Sequence, residues 1–168
     1  MKNWHGILKI LEIQHIRDGK VIWEDHDILN ILHTDGELFM LNCCFNNDGT
    51  VVPANYYFGL DSRSTVVAAN TMSTISTLEP VGNGYSRQTV SSNGGFSIQL
   101  ANGYYRAVSS ILTFSATGAY GPIRNVFMTN ASDNSGNLIS SAALSSAVTF
   151  ASGDSITVRM SLQLKDCP

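Results

Sequence analysis

Hydrophobic and polar positions alternate along most of this chain with the two-residue period of half-buried strands. The final stretch shows it most cleanly. Ile156, Val158, Met160, Leu162 and Leu164 fall on one side, and Ser155, Thr157, Arg159, Ser161 and Gln163 on the other, the pattern of an antiparallel strand with one wet face. Ala54, Tyr56, Phe58 and Leu60 alternate with Asn55, Tyr57 and Gly59, and residues 104–116, 123–129 and 138–144 are further strand candidates. Turn-forming clusters separate them: Asn93-Gly94-Gly95, Ala101-Asn102-Gly103, residues 118–122, residues 133–137 and Ser152-Gly153-Asp154. Short strands at this spacing predict a mainly β fold, an antiparallel β-sandwich or jelly roll.

The first fifty residues add a hairpin and a helix. Residues 7–16 and 21–27 are β-prone and flank Arg17-Asp18-Gly19-Lys20. Asp-Gly suits a two-residue turn with positive φ at both positions, so an N-terminal β-hairpin is expected, with Ile16 opposite Val21 and Gln14 opposite Trp23. Its first strand is apolar on both faces (Leu8, Ile10, Leu11, Ile13, Ile16) and should be covered on both, by its own domain or by a neighbour. Thr34-Asp35-Gly36-Glu37 reads as a capping box that opens one short α-helix over 35–45. Leu38, Leu41 and Phe45 recur at helical spacing, and Asn46-Asn47-Asp48-Gly49 ends the helix. A shorter helix fits residues 71–78, where Met72, Ile75 and Leu78 stand three apart before Glu79-Pro80.

Composition divides the chain at the same place. Residues 1–50 contain no serine, hold all four histidines and carry a net charge of -4; residues 51–168 contain 20 serines and carry +1. No linker or repeat marks the junction. A chain of 168 residues is one domain's worth of material. The expected organisation is therefore one structural domain, with residues 1–50 a hairpin-plus-helix docking elaboration and residues 51–168 the sandwich body. Charged residues make up 14% and the net charge is -3, which excludes a disordered chain and a broad basic surface for nucleic acid. No apolar run approaches the ~18 residues of a membrane span. Lys9 and Glu12 break any signal-peptide core, so synthesis in a cytoplasm without a membrane partner is expected.

The search for chemistry returns little. Cys43, Cys44 and Cys167 fit no disulfide framework, and no C-x-x-C or H-E-x-x-H spacing exists for a metal. Gly82-Asn83-Gly84 lacks the third glycine and the lysine of a phosphate loop, and G-x-S-x-G is absent. Glu24-Asp25-His26-Asp27 is the densest polar cluster; it reads as a charged strand edge, with a metal or proton site near His26 as the rival reading. A hydrolase would need two facing carboxylates, and Asp61 and Glu79 are the best-separated pair. Each more simply pairs with an arginine, Asp61 with Arg63 and Glu79 with Arg63 or Arg87. Tyr56-Tyr57 and Tyr104-Tyr105 each put one ring on either face of a strand, suited to core, interface or carbohydrate contact. No catalytic residue, cofactor or metal is assigned, and the chain is read as a non-enzyme.

Several stretches resemble one family of tailed-bacteriophage virion proteins: residues 17–24 (RDGKVIWE), 56–63 (YYFGLDSR), 79–88 (EPVGNGYSRQ), 113–118 (TFSATG) with Gly121-Pro122, and 153–158 (GDSITV). The resemblance implies a structural role in the particle, with no active-site pattern. The expectation is a protein that decorates or cements the capsid, or serves in neck or tail, touching the major capsid protein or neighbouring tail or neck subunits as a homo-oligomer. The alternative is a tail, baseplate or fibre component that binds a host-surface glycan or receptor. Interface candidates are Leu8, Ile10, Ile13, Ile16 and Trp23 on the hairpin, and Tyr57 and Tyr105 on the body.

Overall fold

The structure is a computed structural model that describes residues 4–46 and 49–166, with side chains for 9–46 and 49–163. Asn47 and Asp48 of the expected helix stop, Cys167, and the side chain of Leu8 lie outside the described residues. In chain order the elements are β1 (Trp4–Arg17), β2 (Lys20–Leu29), β3 (Ile31–Leu32), α1 (Thr34–Phe45), β4 (Asn55–Asp61), α2 (Met72–Ile75) and β5 (Gln88–Ser91). Then follow β6 (Phe96–Ala101), β7 (Tyr104–Ser109), β8 (Leu112–Ser115), β9 (Tyr120–Thr129), β10 (Leu138–Phe150) and β11 (Ser155–Asp166). Two antiparallel sheets form a sandwich. The first runs β2-β1-β11-β7-β6, with β8 also paired to β11; the second runs β3-β10-β9-β4-β5. The expected strand over 104–116 is broken at Ser110-Ile111 into β7 and β8, which lie along successive halves of β11.

The hairpin is built into the body. β1 pairs with β2 on one side and, from Trp4 to Ile16, with β11 on the other. Asp18 (φ 50°) and Gly19 (φ 70°) form the two-residue turn. Ile16 faces Val21 as expected, but Trp23 faces His15 and Gln14 faces Glu24. An extra residue on β2, Ile22, makes a bulge that moves the register by one. A second bulge, at Leu11 opposite β11, explains the two-sided apolar pattern. It lets Ile10 and Ile13, three apart, both turn inward, where both are 0% exposed. Ile10 and Ile13 of the hairpin thus fill the chain's own core.

That core lies between the sheets: Ile10 and Ile13 from β1, Phe58 and Leu60 from β4, Val126 from β9, Phe150 from β10, and Ile156 and Val158 from β11. From Asn125 to Thr129, β9 is buried on both faces. Its outer face carries Phe127, which joins Met72, Ile75 and Leu138 in a second cluster under the segment containing α2. Met72 and Ile75 are buried while Leu78 is exposed, because the helix ends at Ile75. Thr71 caps it through a reciprocal pair with Thr74.

α1 starts one residue earlier than expected and lacks the capping box. Its N-cap is His33, without a side-chain cap; Glu37 N–H donates to the His33 carbonyl and Thr34 N–H to Ala68. The buried residues are Gly36 and Phe39, not the Leu38-Leu41-Phe45 stripe. A Cβ on Gly36 would overlap the Ile139 backbone, so the glycine lets the helix settle on β10 by that face.

Candidate functional site

Three polar clusters and one apolar cleft carry whatever chemistry the chain holds. The first cluster begins at the end of β4. Asp61 is fully buried and accepts from Arg63 through both oxygens, Nε to Oδ1 at 2.9 Å and Nη2 to Oδ2 at 2.8 Å. Asn125 donates to Asp61 (2.8 Å) and to the Arg63 carbonyl (2.8 Å). Arg63 donates onward to Ser141 Oγ (2.8 Å), which also meets His33 Nε2 at 2.8 Å. Burial holds the His33 imidazole below its ordinary value, with the Arg63 charge adding to the effect. A neutral ring donating from Nδ1 to the Ala68 carbonyl leaves Nε2 to accept from Ser141. Every member is occupied by another, and together they tie β4, β9, β10 and the 62–71 segment to one another.

The second cluster pins the Glu79–Arg87 segment. Arg87 binds Glu79 in a two-pronged ion pair (2.8 and 2.6 Å) and reaches carbonyls of Ala131 and Asp133 in the β9–β10 loop. Its guanidinium lies over the Phe127 ring at 5.3 Å. Tyr85 donates to Glu79 (2.6 Å) and accepts from Leu60 N–H (2.9 Å). Burial, with the Glu79 charge beside it, pushes the Tyr85 phenol far above its ordinary value. The third cluster closes the hairpin onto β11. Asp154, 1% exposed, accepts from Arg17 Nε (2.8 Å) and Nη2 (2.7 Å) and lies 2.9 Å from His15 Nε2. The Arg17 hydrogen bonds hold the Asp154 carboxyl well below the usual carboxylate range. Beside it Tyr120 stacks on Phe150, and burial pushes its phenol up to about 12.

These clusters decide the rival chemical readings. Asp61 and Glu79 do not face each other across a cleft; each is taken up by its own arginine, Arg63 and Arg87. The His26 ring lies 3.8 Å from Glu24 and its backbone N–H donates to Asp25 (2.9 Å), on an exposed edge, and no group of His, Cys, Asp and Glu among the described residues is placed to hold a metal ion. Gly82-Asn83-Gly84 is a turn whose Asn83 donates to the Ala119 carbonyl. No helix among the described residues is long and apolar enough to cross a membrane. The Asp61–Arg63 pair was legible in the sequence, and of the two arginines it offered to Glu79 (Arg63 and Arg87) the partner is Arg87. His15–Arg17–Asp154 and His33–Ser141 were not legible, because their partners are more than a hundred residues apart and nothing local marks them.

The apolar surfaces are more telling. α1 has two apolar faces: Phe39 packs inward with Met40 and Cys43 beside it, while Leu38, Leu41 and Phe45 (85% exposed) form a stripe on the opposite face. Water normally sees polar residues there. A cleft of about 290 Å³ opens between the sheets beneath α1, lined by Phe39, Val52, Tyr56, Ile98 and Leu162 among others. Of the interface candidates, Ile10 and Ile13 are inside, and Ile16 and Trp23 are half-buried. Tyr57 is half-buried on the second sheet and Tyr105 is exposed on the first, so the two rings do not build one platform.

A family model described as Podophage GP4 fiber I protein gp80 matches residues 34–164. The match takes in α1 and all the strands from β4 to β10, with β11 as far as Leu164; it leaves the β1–β2 hairpin and β3 outside. No curated protein matches the chain.

Proposed function

From a chain that belongs to the podophage GP4 fiber I protein gp80 family, whose members are fibre structural proteins and not enzymes, we propose a structural component of a phage fibre that works through contacts with other virion proteins. The observation that carries this is the family match over most of the chain, from Thr34 to Leu164. It favours the fibre over the capsid-decoration role expected from the sequence. Two features of the molecule support a mechanical role. The buried ion-pair clusters lock long loops onto a β-sandwich, which suits a part that must keep its shape. The outward stripe of α1 is the surface assigned to a neighbouring virion subunit, since Leu38, Leu41 and Phe45 present apolar area that the chain itself leaves uncovered.

Immunogold labelling of purified particles with antibodies to the folded chain tests the proposal. Label along fibres, with the chain present in the particle proteome, is the expected result. Label over the head shell, or absence of the chain from purified particles, would overturn it.

A further inference from the structure

A β-strand at the edge of a sheet presents unpaired N–H and C=O groups, and soluble proteins blunt such edges with charge, bulges or brevity. Of β8 and the strands that end the two sheets, all but one are blunted in this way. β3, β5 and β8 are two, four and four residues long. β2 carries Lys20, Glu24, Asp25, His26 and Asp27, a bulge at Ile22 and a positive φ at Asp27. β6 has none of these devices. It is six residues, Phe96-Ser97-Ile98-Gln99-Leu100-Ala101, without a charge or a proline, and it pairs only with β7.

Its side chains compound the exposure. Phe96, Ile98 and Leu100 share one face with Ala107 and Tyr105 of β7 and with Leu162 of β11, through the pairings Ile98–Ala107, Leu100–Tyr105 and Ala107–Leu162. This is the core-facing side of the first sheet, continued past the cover of the second. Ile98 is 69%, Leu100 65% and Tyr105 70% exposed. Val52 adjoins them across the mouth of the cleft. With partly exposed Phe96 and Leu162 they present on the order of 400 Å² of apolar surface. A standard interface takes ~800 Å² from each partner, a little over half of it apolar, so this patch supplies nearly the whole apolar share of one.

We infer that β6 pairs antiparallel with β6 of a second copy of this chain, about a two-fold axis, joining the two first sheets into one. Strand symmetry makes the edge complementary to itself. Placing Ile98 opposite its counterpart sets Phe96 against Leu100, so apolar residues meet apolar residues and the inner face runs on unbroken. Charge places no obstacle. No charged residue occurs from Gln88 to Tyr105, and the next, Arg106, donates to Gln99 (3.2 Å), whose side chain is on the outer face of the sheet. Identical surfaces therefore meet without the like-charge opposition that destabilises cross-strand pairs. The pairing stands on the edge geometry and does not depend on where in a particle the chain sits.

Sedimentation equilibrium of the full chain across the micromolar range, with amide hydrogen exchange on the same samples, tests it. The wild type should sediment at twice the mass of one chain, with β6 amides that lose protection on dilution. Leu100→Lys alters a mostly exposed side chain. It should keep the wild-type circular dichroism and raise the dissociation constant by about 100-fold. Leu41→Lys, on the outward face of α1, should leave the dimer intact. Four results would overturn the pairing: a single-chain mass at all concentrations, a three-chain mass, loss of association in Leu41→Lys but not in Leu100→Lys, or dissociation without any change at the β6 amides. A single-chain mass would leave the fibre assignment standing, since particle labelling decides that.

Discussion

Whether the first strand belongs to this chain's own core or to a neighbour can be settled by one substitution, Ile13→Ala. Ile13 is fully buried between β2 and β11, where the Leu11 bulge turns it inward beside Ile10. Truncation removes three buried carbons and leaves a void that the paired strands on either side cannot close. Such changes cost 2–5 kcal/mol, and a site clamped from both sides should fall near the middle, about 3 kcal/mol. For a chain of this size that corresponds to a fall in Tm of about 10 °C. Differential scanning calorimetry of the isolated chain measures it, with Leu38→Ala as reference. Leu38 is mostly exposed, and its truncation should move stability by less than about 0.5 kcal/mol. If Ile13→Ala melted with the wild type, the hairpin would be an arm awaiting a partner and the strand order would be wrong. The same placement predicts that deleting residues 1–27 unfolds the chain, because β11 would lose its partner from Trp4 to Ile16.

Three further outcomes follow from the polar clusters and the packing around them. Asp61→Asn leaves the buried Arg63 charge without its two-pronged partner and should cost about 3–5 kcal/mol; replacing Arg63 as well should cost less than the two single changes added, which a urea double-mutant cycle reads. His33 titrates below its ordinary value of 6.5 in the folded chain, so as pH falls through that value the unfolded chain takes the proton first and the native state loses stability. Its contribution is fully present above pH 6.5 and declines below it, and His33→Asn should flatten the slope of Tm against pH between about 7.5 and about 5.5. Gly59→Ala would drive a methyl into the Phe127 ring and toward the Tyr85 hydroxyl, so the urea midpoint should fall by the equivalent of about 1–3 kcal/mol with an unchanged m-value.

What the sequence made legible was local. The Asp18-Gly19 turn and the alternation in β11 depend on residues within a few positions of one another, and each formed where its pattern lay; α2 formed inside its expected span of 71–78 but ended at Ile75. Asp61–Arg63, two residues apart, and Glu79–Arg87, eight apart, are local in the same way. The two bulges of the hairpin were hidden for the opposite reason. Leu11 and Ile22 are as apolar as their neighbours, so nothing in the pattern distinguishes a residue that is skipped by the ladder from one that takes part in it. At Leu11 it is pairing with β11, about 150 residues away, that fixes the skip, and at Ile22 it is the register between β1 and β2.

α1 shows the most consequential ambiguity, because its helical periodicity supports two faces equally well. Leu38, Leu41 and Phe45 form one stripe; Gly36, Phe39, Met40 and Cys43 form the other. Hydrophobicity alone favours burying the first. Gly36 reverses the choice, since only a side without a Cβ can approach the Ile139 backbone closely enough to seat the helix on β10. Close packing against the sheet outweighs the apolar content of the rival face, and that face is left outside. The residue that decides which face of α1 stays outside is therefore a glycine, Gly36. A larger residue at position 36 should lift the helix from the sheet and scatter the stripe while leaving its own sequence untouched.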